Sequence, residues 1–219
     1  LLDDSAIIIQ IDWIASLKPN QINIEGFNNN QTVFEEVQVI SVSTDSIEFD
    51  KNKSKIIDLI QKYIPYHVFL CVYSSKEFVI NICEKRINLN DSNRRTIEKS
   101  LVTENILINN ETDIQKTFLK DLSFENIDKH DLKSLYDSFS KSIVALQASN
   151  INGEFINRPI EQSKQDLERL ERIKKLENEI LQLQNQAKKE SQLNTQVKIN
   201  SEVQFRRKEI ELIKEKLKK

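Results

Sequence analysis

Alternating and helically spaced apolar positions predict a mixture of strands and helices in the first two thirds of the chain. Residues 34–43 alternate apolar with polar side chains and are rich in β-branched types, which predicts a strand. The segment 6–17 is compatible with either a strand or a helix. The four-residue spacing of Ile9, Trp13 and Leu17 favours a helix, and we expect a helix there.

A second group of elements follows along the chain. Alternation over residues 21–26 predicts a short strand. Apolar residues spaced by three and four positions predict an amphipathic helix over 54–64, which a proline ends. Two apolar segments, 66–73 and 77–85, are separated by a Ser-Ser-Lys turn, and this arrangement predicts an antiparallel hairpin.

The hairpin predicts two faces whose composition depends on the register of its strands. If the turn centres on Ser75, one face is entirely apolar and must lie in the core; it consists of Val68, Leu70, Val72, Phe78, Ile80 and Ile82. The other face is mixed, and it consists of His67, Phe69, Cys71, Tyr73, Glu77, Val79, Asn81 and Cys83. A slip of one residue would exchange the two faces.

The clearest core-facing helix lies after the middle of the chain. Asp128 is expected to cap a helix over 129–146, in which apolar residues recur every three or four positions. Residues 106–108 are expected to be extended. The Gly and Pro within 150–159 predict a linker.

Two seams of apolar residues with heptad spacing predict long helices beyond residue 160, where Gly and Pro are absent from the sequence. The first seam is Ile173, Leu176, Ile180, Leu183 and Ala187, and the second is Val203, Arg206, Ile210, Ile213 and Leu217. The seams are out of phase by two residues, so the region is either one interrupted helix or a hairpin. The polar stretch 188–192 favours a hairpin that turns near 189–195.

Together these elements predict an α+β protein with two parts. Residues 1–150 are expected to form a body with a small antiparallel or mixed sheet and packed helices. Residues 158–219 are expected to form a long, coiled-coil-like helical hairpin. An arm of about 25 to 30 residues is roughly 40 Å long. A small body cannot bury both sides of such an arm, so we expect the arm to pack on itself or on a partner.

Composition excludes several classes of chemistry. Only 2 of the 219 residues are Gly, which excludes phosphate-cradling loops and dinucleotide-binding fingerprints. His67 with Cys71 and Cys83 would provide at most three ligands, so we expect no metal and no cofactor. No Gly-x-Ser-x-Gly elbow marks a nucleophile, and no apolar run reaches the roughly 20 residues that span a bilayer. We expect a non-catalytic cytoplasmic protein that does not enter a membrane.

Charge is distributed unevenly between the two parts. Residues 158–219 contain 16 Lys and Arg against 11 Asp and Glu, whereas the remainder carries a net charge of −7. Arg206, Arg207 and Lys208 are candidates for contact with phosphates, which makes a DNA-binding adaptor one alternative function. Interleaved Glu residues at 209, 211 and 215 favour the simpler interpretation, a helix surface with salt bridges.

A second alternative is a divergent metal-dependent nuclease. Glu25 followed by Glu36 and Gln38 loosely follows the acid plus Glu-x-Lys arrangement with which such enzymes hold Mg²⁺ and orient a water molecule. Gln38 departs from that pattern, because it replaces the expected lysine. The alternative requires the side chains to converge on one metal ion.

Three stretches of the sequence resemble a bacterial family known as domain of unknown function 4391. Residues 11–26 with 34–42 are similar to its tryptophan-containing helix and its strands, and 60–73 contains its Ile-Pro-Tyr-His signature. The most specific stretch is 188–200, where Lys-Lys-Glu-Ser-Gln-Leu-Asn and then Val-Lys-Ile-Asn resemble the turn between two charged helices. Leu193 stands where the family has an aromatic residue.

The resemblance implies a context and no assigned reaction. Members of the family accompany DNA methyltransferases and helicases, which implies an accessory or assembly subunit of a DNA-modification or anti-phage defence system. The expected partner is therefore a second copy, a DNA methyltransferase or a helicase. We expect the helical seam to carry this contact through Ile173, Leu176, Ile180, Leu183, Ile210, Ile213 and Leu217.

Overall fold

The computed structural model describes residues 8–91 and 94–218, which fall into two units that divide between Leu146 and Gln147. The strands are β1 (Ile8–Leu17), β2 (Phe27–Asn28), β3 (Val33–Phe34), β4 (Val37–Thr44), β5 (His67–Tyr73), β6 (Glu77–Ile87), β7 (Arg95–Val102) and β8 (Ile106–Leu107). The helices are α1 (Pro19–Ile22), α2 (Phe49–Tyr63), α3 (Asp113–Asp121), α4 (Leu132–Asn152), α5 (Ile160–Lys189) and α6 (Leu193–Leu217).

A mixed sheet of six strands forms the first unit, and this confirms the predicted α+β class. Its order is β1-β4-β5-β6-β7, and β8 also pairs with β6. Strands β4 and β5 are parallel, because the chain returns between them through α2. The other pairs are antiparallel, and β2 and β3 form a separate two-stranded ribbon.

The first described element is a strand, so the helix predicted over 6–17 is wrong; residues 6 and 7 lie outside the described part. β1 pairs with β4 from Ile8 opposite Thr44 to Leu17 opposite Val37. Register shifts at Ile9 and Ile14 mark two irregularities of the bulge type. The helical spacing of Ile9, Trp13 and Leu17 is outweighed by pairing with β4 and by the high content of β-branched Ile.

The strand predicted over 21–26 is also wrong. Pro19 occupies the start of the short helix α1, where its fixed φ angle is favourable and its missing N–H costs nothing. Asn23 then ends α1 in the left-handed conformation, with φ of 54°. The alternation over 21–26 therefore reflects a helical turn followed by an irregular segment, in which Glu25 forms an isolated bridge with Asp131 and the first strand begins at Phe27.

The predicted hairpin of β5 and β6 is confirmed, but its predicted faces are wrong by one residue. Leu70 lies opposite Asn81 and Tyr73 opposite Phe78, so the turn centres between Ser75 and Lys76. Val68, Leu70 and Val72 therefore share a face with Val79, Asn81 and Cys83. Both strands are central, and both of their faces are largely buried, so apolar side chains occur on each face and do not specify the register.

Helices cover the two faces of these central strands. The helix predicted over 54–64 is confirmed as part of α2, and it packs on the face of Val68 and Leu70; the buried cluster contains Ile40, Val42, Phe49, Ile56, Ile57, Ile60, Val68, Leu70, Val72 and Val79. On the opposite face, Phe69 contacts Phe139 of α4, with 4.6 Å between the ring centroids. The core of the first unit thus lies on both sides of the sheet.

α4 begins three residues later than predicted. The Asp131 carboxylate accepts a hydrogen bond from the Ser134 N–H at 2.7 Å, in the manner of an N-cap residue. Asp128, the predicted cap, instead accepts from the N–H of His130 at 2.9 Å. The extended segment predicted over 106–108 is confirmed by β8.

In the second unit, α5 and α6 pack against each other, as the predicted hairpin requires. The helices are interrupted over 190–192, within the polar region where the turn was expected. Ile173, Leu176, Ile210 and Leu217 form the buried cluster between the helices, and Leu170, Ile180 and Ile213 pack against it. Among the described residues, no helix is both long and apolar enough to cross a membrane.

Candidate functional site

The three residues of the nuclease alternative are each engaged with a different partner. Gln38 is buried in β4, where its side-chain oxygen accepts hydrogen bonds from the Trp13 indole at 2.6 Å and from the Ser16 hydroxyl. Glu36 pairs with Lys18 at 3.2 Å. Glu25 is exposed, and its backbone oxygen accepts from the N–H of residue 132 at 2.8 Å. Within 8–91 and 94–218, no three His, Cys, Asp or Glu side chains are grouped to hold a metal ion.

His67 and Cys83 lie on opposite faces of the hairpin, so they are not neighbours as the predicted register implied. His67 is buried and stacks on Phe34, with 3.6 Å between ring centroids, and its Nε2 has no hydrogen-bond partner. Burial, with a smaller effect from the charge of Lys85, lowers the pKa of His67 to about 3. Burial also raises the pKa of the Cys71 thiol to about 11. His67 is therefore a neutral imidazole in the core, and half-buried Cys71 is a protonated thiol.

Two buried polar side chains, Tyr136 and Lys85, connect the hairpin of β5 and β6 to helices α4 and α2. Neither was predicted from the sequence. The Tyr136 hydroxyl accepts from the Cys83 N–H at 3.0 Å and donates to the Val68 oxygen at 2.9 Å. It thereby bridges β5 and β6 beyond their last paired residues. A tyrosine within the apolar stripe of a core helix is the signal that could have found it, because a buried hydroxyl needs a partner.

Lys85 has a comparable role at the end of α2. Its ammonium group donates to the backbone oxygens of Ile64 at 2.7 Å and Tyr66 at 2.9 Å. Carbonyl groups at a helix end lack partners within the helix, and a lysine can satisfy them. Burial lowers the pKa of Lys85 to about 8. Both Tyr136 and Lys85 bind backbone groups, which assigns them a structural role.

The seam residues predicted to contact a partner lie in the intramolecular contact between α5 and α6. Ile173, Leu176, Ile210 and Leu217 are buried there. Ile180 and Ile213 pack at the margin of this cluster, and Leu183 is half-buried. The seam is thus occupied by the chain's own second helix.

Ion pairs also join the two helices, and one of them involves a predicted phosphate contact. Arg206 lies 2.8 Å from Glu179 of α5, and Arg172 lies 2.7 Å from Glu209 of α6. The guanidinium group of Arg206 is therefore paired within the hairpin. Arg207 and Lys208, the other two candidates, are exposed.

A stripe of large apolar side chains lies on the other side of α6. We define the α6 stripe as Val197, Phe205 and Leu212, which are 56%, 68% and 67% exposed. At 3.6 residues per turn, the three positions lie within an arc of about 80°. Buried Val203 and Ile210 are about 160° away from Phe205 and Leu212, respectively. α6 is therefore apolar on two opposite sides, and only one of them is covered by α5.

α6 is apolar on two opposite sides and charged between them. The side left in water is a candidate for coverage by a partner, because burial of apolar surface is favourable. Exposed Lys198 and Glu211 border the stripe on its two sides, as in the polar rim of a protein interface, and exposed Lys208 lies within its arc between Phe205 and Leu212. Aromatic residues such as Phe205 are enriched in the centres of such interfaces. The stripe is the best candidate for a functional surface in the second unit.

Comparison with known proteins gives one result. The family model described as a domain of unknown function (DUF4391) matches residues 6–210, which includes most of both units. No curated protein matches the chain, and no solved structure matches it. A match over nearly the whole length agrees with the resemblance found in the three shorter stretches, and the chain therefore belongs to the DUF4391 family.

Proposed function

We propose that this chain is a non-catalytic assembly subunit that binds another protein through the α6 stripe. One observation carries the proposal: three large apolar side chains are exposed on a helix whose opposite side is already buried against α5. Exposing Phe205 and Leu212 is unfavourable by about 25 cal/mol for each Å² of apolar surface left in water. A partner that covers the stripe recovers that free energy.

The chemistry of the stripe favours a helix of another protein as its ligand. Val197, Phe205 and Leu212 are spaced by eight and seven residues, a repeat that fits the groove of a second amphipathic helix. Apolar side chains do not recognise phosphates, so the stripe does not support DNA as its ligand. DNA contact by Arg207 and Lys208 stays a separate prediction.

The family resemblance supplies the proposed setting. We place the chain in a cytoplasmic DNA-modification or anti-phage defence system, in which the partner is a DNA methyltransferase or a helicase. The chain's contribution is to hold that partner in an assembly. This role needs no metal or nucleophile, and it agrees with the separate engagement of Glu25, Glu36 and Gln38.

The test is co-purification of the full chain with the methyltransferase and the helicase of the same operon. Phe205→Asp with Leu212→Asp should weaken binding at least about tenfold, because truncated aromatic anchors commonly account for more than 1 kcal/mol. Gln182→Asp with Asn185→Asp adds the same charges at exposed positions of α5 and should bind as the wild type. Circular dichroism checks that both variants keep their helix content.

Two outcomes contradict the proposal. The first is that neither protein binds the wild-type chain. The second is that the α6 variant binds as tightly as the α5 control.

A further inference from the structure

β1 is a long edge strand whose two bulge-type irregularities leave the regular segment 10–13 between them. It lies at the end of the sheet and pairs with β4 along one side, and no other described residue pairs with its outer side. Edge strands present unpaired N–H and C=O groups, and most proteins protect them with charges, prolines or short length. β1 has ten residues, no proline and one charged residue, Asp12.

The side chains of β1 are unusually apolar for an exposed edge. Ile9, Ile11, Trp13 and Ile14 are all exposed, and Trp13 has 58% of its surface in solvent. The Trp13 indole is nevertheless held in place by its hydrogen bond to the buried Gln38. A large aromatic side chain that is both oriented and exposed is typical of the centre of a protein interface, because little conformational freedom is lost on binding.

We propose that the occupant of this edge is a second copy of the chain, whose β1 pairs antiparallel with the first about a twofold axis at Ile11. In this register Ile11 of one copy faces Ile11 of the other, and Trp13 lies beside the irregular position at Ile9 of the other copy. Gln10 faces Asp12 of the other copy. Its amide donates to Asp12 of its own chain at 2.7 Å, which leaves a second N–H for the carboxylate across the axis. Twofold interfaces require a self-complementary surface, and this pattern has one.

The side chains opposed across the axis distinguish this register from its neighbours. An axis at Gln10 would place apolar Ile8 opposite the Asp12 carboxylate. An axis at Asp12 would place two carboxylates opposite each other, and like charges in that position destabilise a strand pair. An axis between Ile11 and Asp12 would place each apolar Ile11 opposite a carboxylate. The axis at Ile11 also lies within residues 10–13, the regular part of β1 between its two irregular positions. This surface is separate from the α6 stripe, so the inference goes beyond the proposed function.

The first experiment measures the mass of the full chain by light scattering over a range of concentrations. The wild type should have about twice the mass of one chain. Gln10→Glu places a carboxylate opposite Asp12 of the other copy and should weaken the dimer about tenfold. Gln10→Lys places an ammonium group there, so this matched variant should stay a dimer. Gln10 is exposed and bonds Asp12 of its own chain at 2.7 Å, so circular dichroism and the urea midpoint of each variant check that the monomer keeps its fold.

The second experiment tests proximity at the axis. A twofold axis at Ile11 brings the two copies of that residue close enough for a disulfide, which requires Cα atoms within about 7 Å. Mild oxidation of Ile11→Cys should therefore give a covalent dimer. Ile47→Cys introduces a thiol at another exposed site of the same unit and should remain uncross-linked.

The possible results separate this inference from the proposed function. A monomeric wild-type chain overturns the inference, as does a dimer that Gln10→Glu does not weaken. Equal cross-linking of the two cysteine variants also overturns it. A dimer that persists in Gln10→Glu and dissociates in Phe205→Asp with Leu212→Asp would assign self-association to the α6 stripe instead. None of these results decides whether the stripe binds a methyltransferase or a helicase.

Discussion

Single buried polar residues determine how the central hairpin is held. Tyr136 satisfies backbone groups of β5 and β6 at once, and Lys85 satisfies two carbonyl groups near the end of α2. A buried N–H or C=O without a partner is costly, so each side chain stabilises the fold by more than its own contact area indicates.

Tyr136→Phe should reduce the free energy of unfolding by about 1–3 kcal/mol, because the Cys83 N–H and the Val68 oxygen lose a buried partner. Urea denaturation measures the effect. Tyr63→Phe removes a hydroxyl from an exposed tyrosine of α2 and should change the midpoint little. Equal midpoints for the two variants would show that the Tyr136 hydroxyl is not needed.

His67 should make the protein less stable in acid. Its pKa is about 3 in the folded state against an ordinary value of 6.5, because burial disfavours the charged imidazole. Between these values the unfolded state binds more protons, so the free energy of unfolding should fall as pH decreases from about 6.5 towards 3.

His67→Phe removes the titrating group and should flatten this part of the stability curve. The check is the urea midpoint measured at intervals from pH 7 to pH 4. His130→Gln, at an exposed position, should retain the wild-type slope. A slope unchanged in His67→Phe would contradict the assignment.

Among the elements, the helical hairpin shows most clearly how one apolar pattern is divided between two surfaces. The seam residues pack α5 against α6, whereas Val197, Phe205 and Leu212 remain exposed on the other side of α6. Heptad spacing identifies residues that contact a helix, but it does not identify which helix they contact.

Leu176→Ala should destabilise the hairpin by about 2–5 kcal/mol, because Leu176 is fully buried between the helices. Hydrogen exchange of amides in α5 and α6 should show the loss of protection. Leu181→Ala removes the same atoms from an exposed position and should have little effect.

Ile180→Asp with Ile213→Asp should also destabilise the helical hairpin, because it places charges beside the buried cluster. These changes should separate α5 from α6, since both residues pack against the buried cluster. If the amides of α5 and α6 in Leu176→Ala stay as protected from hydrogen exchange as in the wild type, this account of the hairpin's core is wrong.

At the scale of the whole molecule, candidate contact surfaces occur in both units of the described chain. Two candidate contact surfaces, the β1 edge and the α6 stripe, lie in different units. The candidate nuclease residues are separately engaged, and the described residues contain no group of metal ligands.

Glu36 is paired with Lys18, and Gln38 is held by Trp13 and Ser16, so these side chains should not support metal-dependent cleavage of DNA. Adding Mg²⁺ should leave the melting temperature unchanged, because no described cluster of carboxylates binds it. Glu36→Ala should lose only the partly exposed ion pair with Lys18, a change of about 0–1 kcal/mol. Cleavage that requires Mg²⁺ and disappears in Glu36→Ala would instead support the nuclease alternative.

The sequence by itself determined the elements whose patterns are local. The amphipathic repeat of α2, the β-branched alternation of β4 and the polar interruption between α5 and α6 each predicted the observed element. Motif resemblance identified the family that the full-length match then established.

Only the tertiary structure decided which surface each apolar side chain faces. The register of β5 and β6, the pairing that makes residues 8–17 a strand, and the partners of Gln38 and Tyr136 depend on residues distant in sequence. A local sequence pattern shows that a side chain is apolar, but it does not show what that side chain packs against. Long-range pairing and packing determine whether that side chain is buried within the chain or left exposed for another protein.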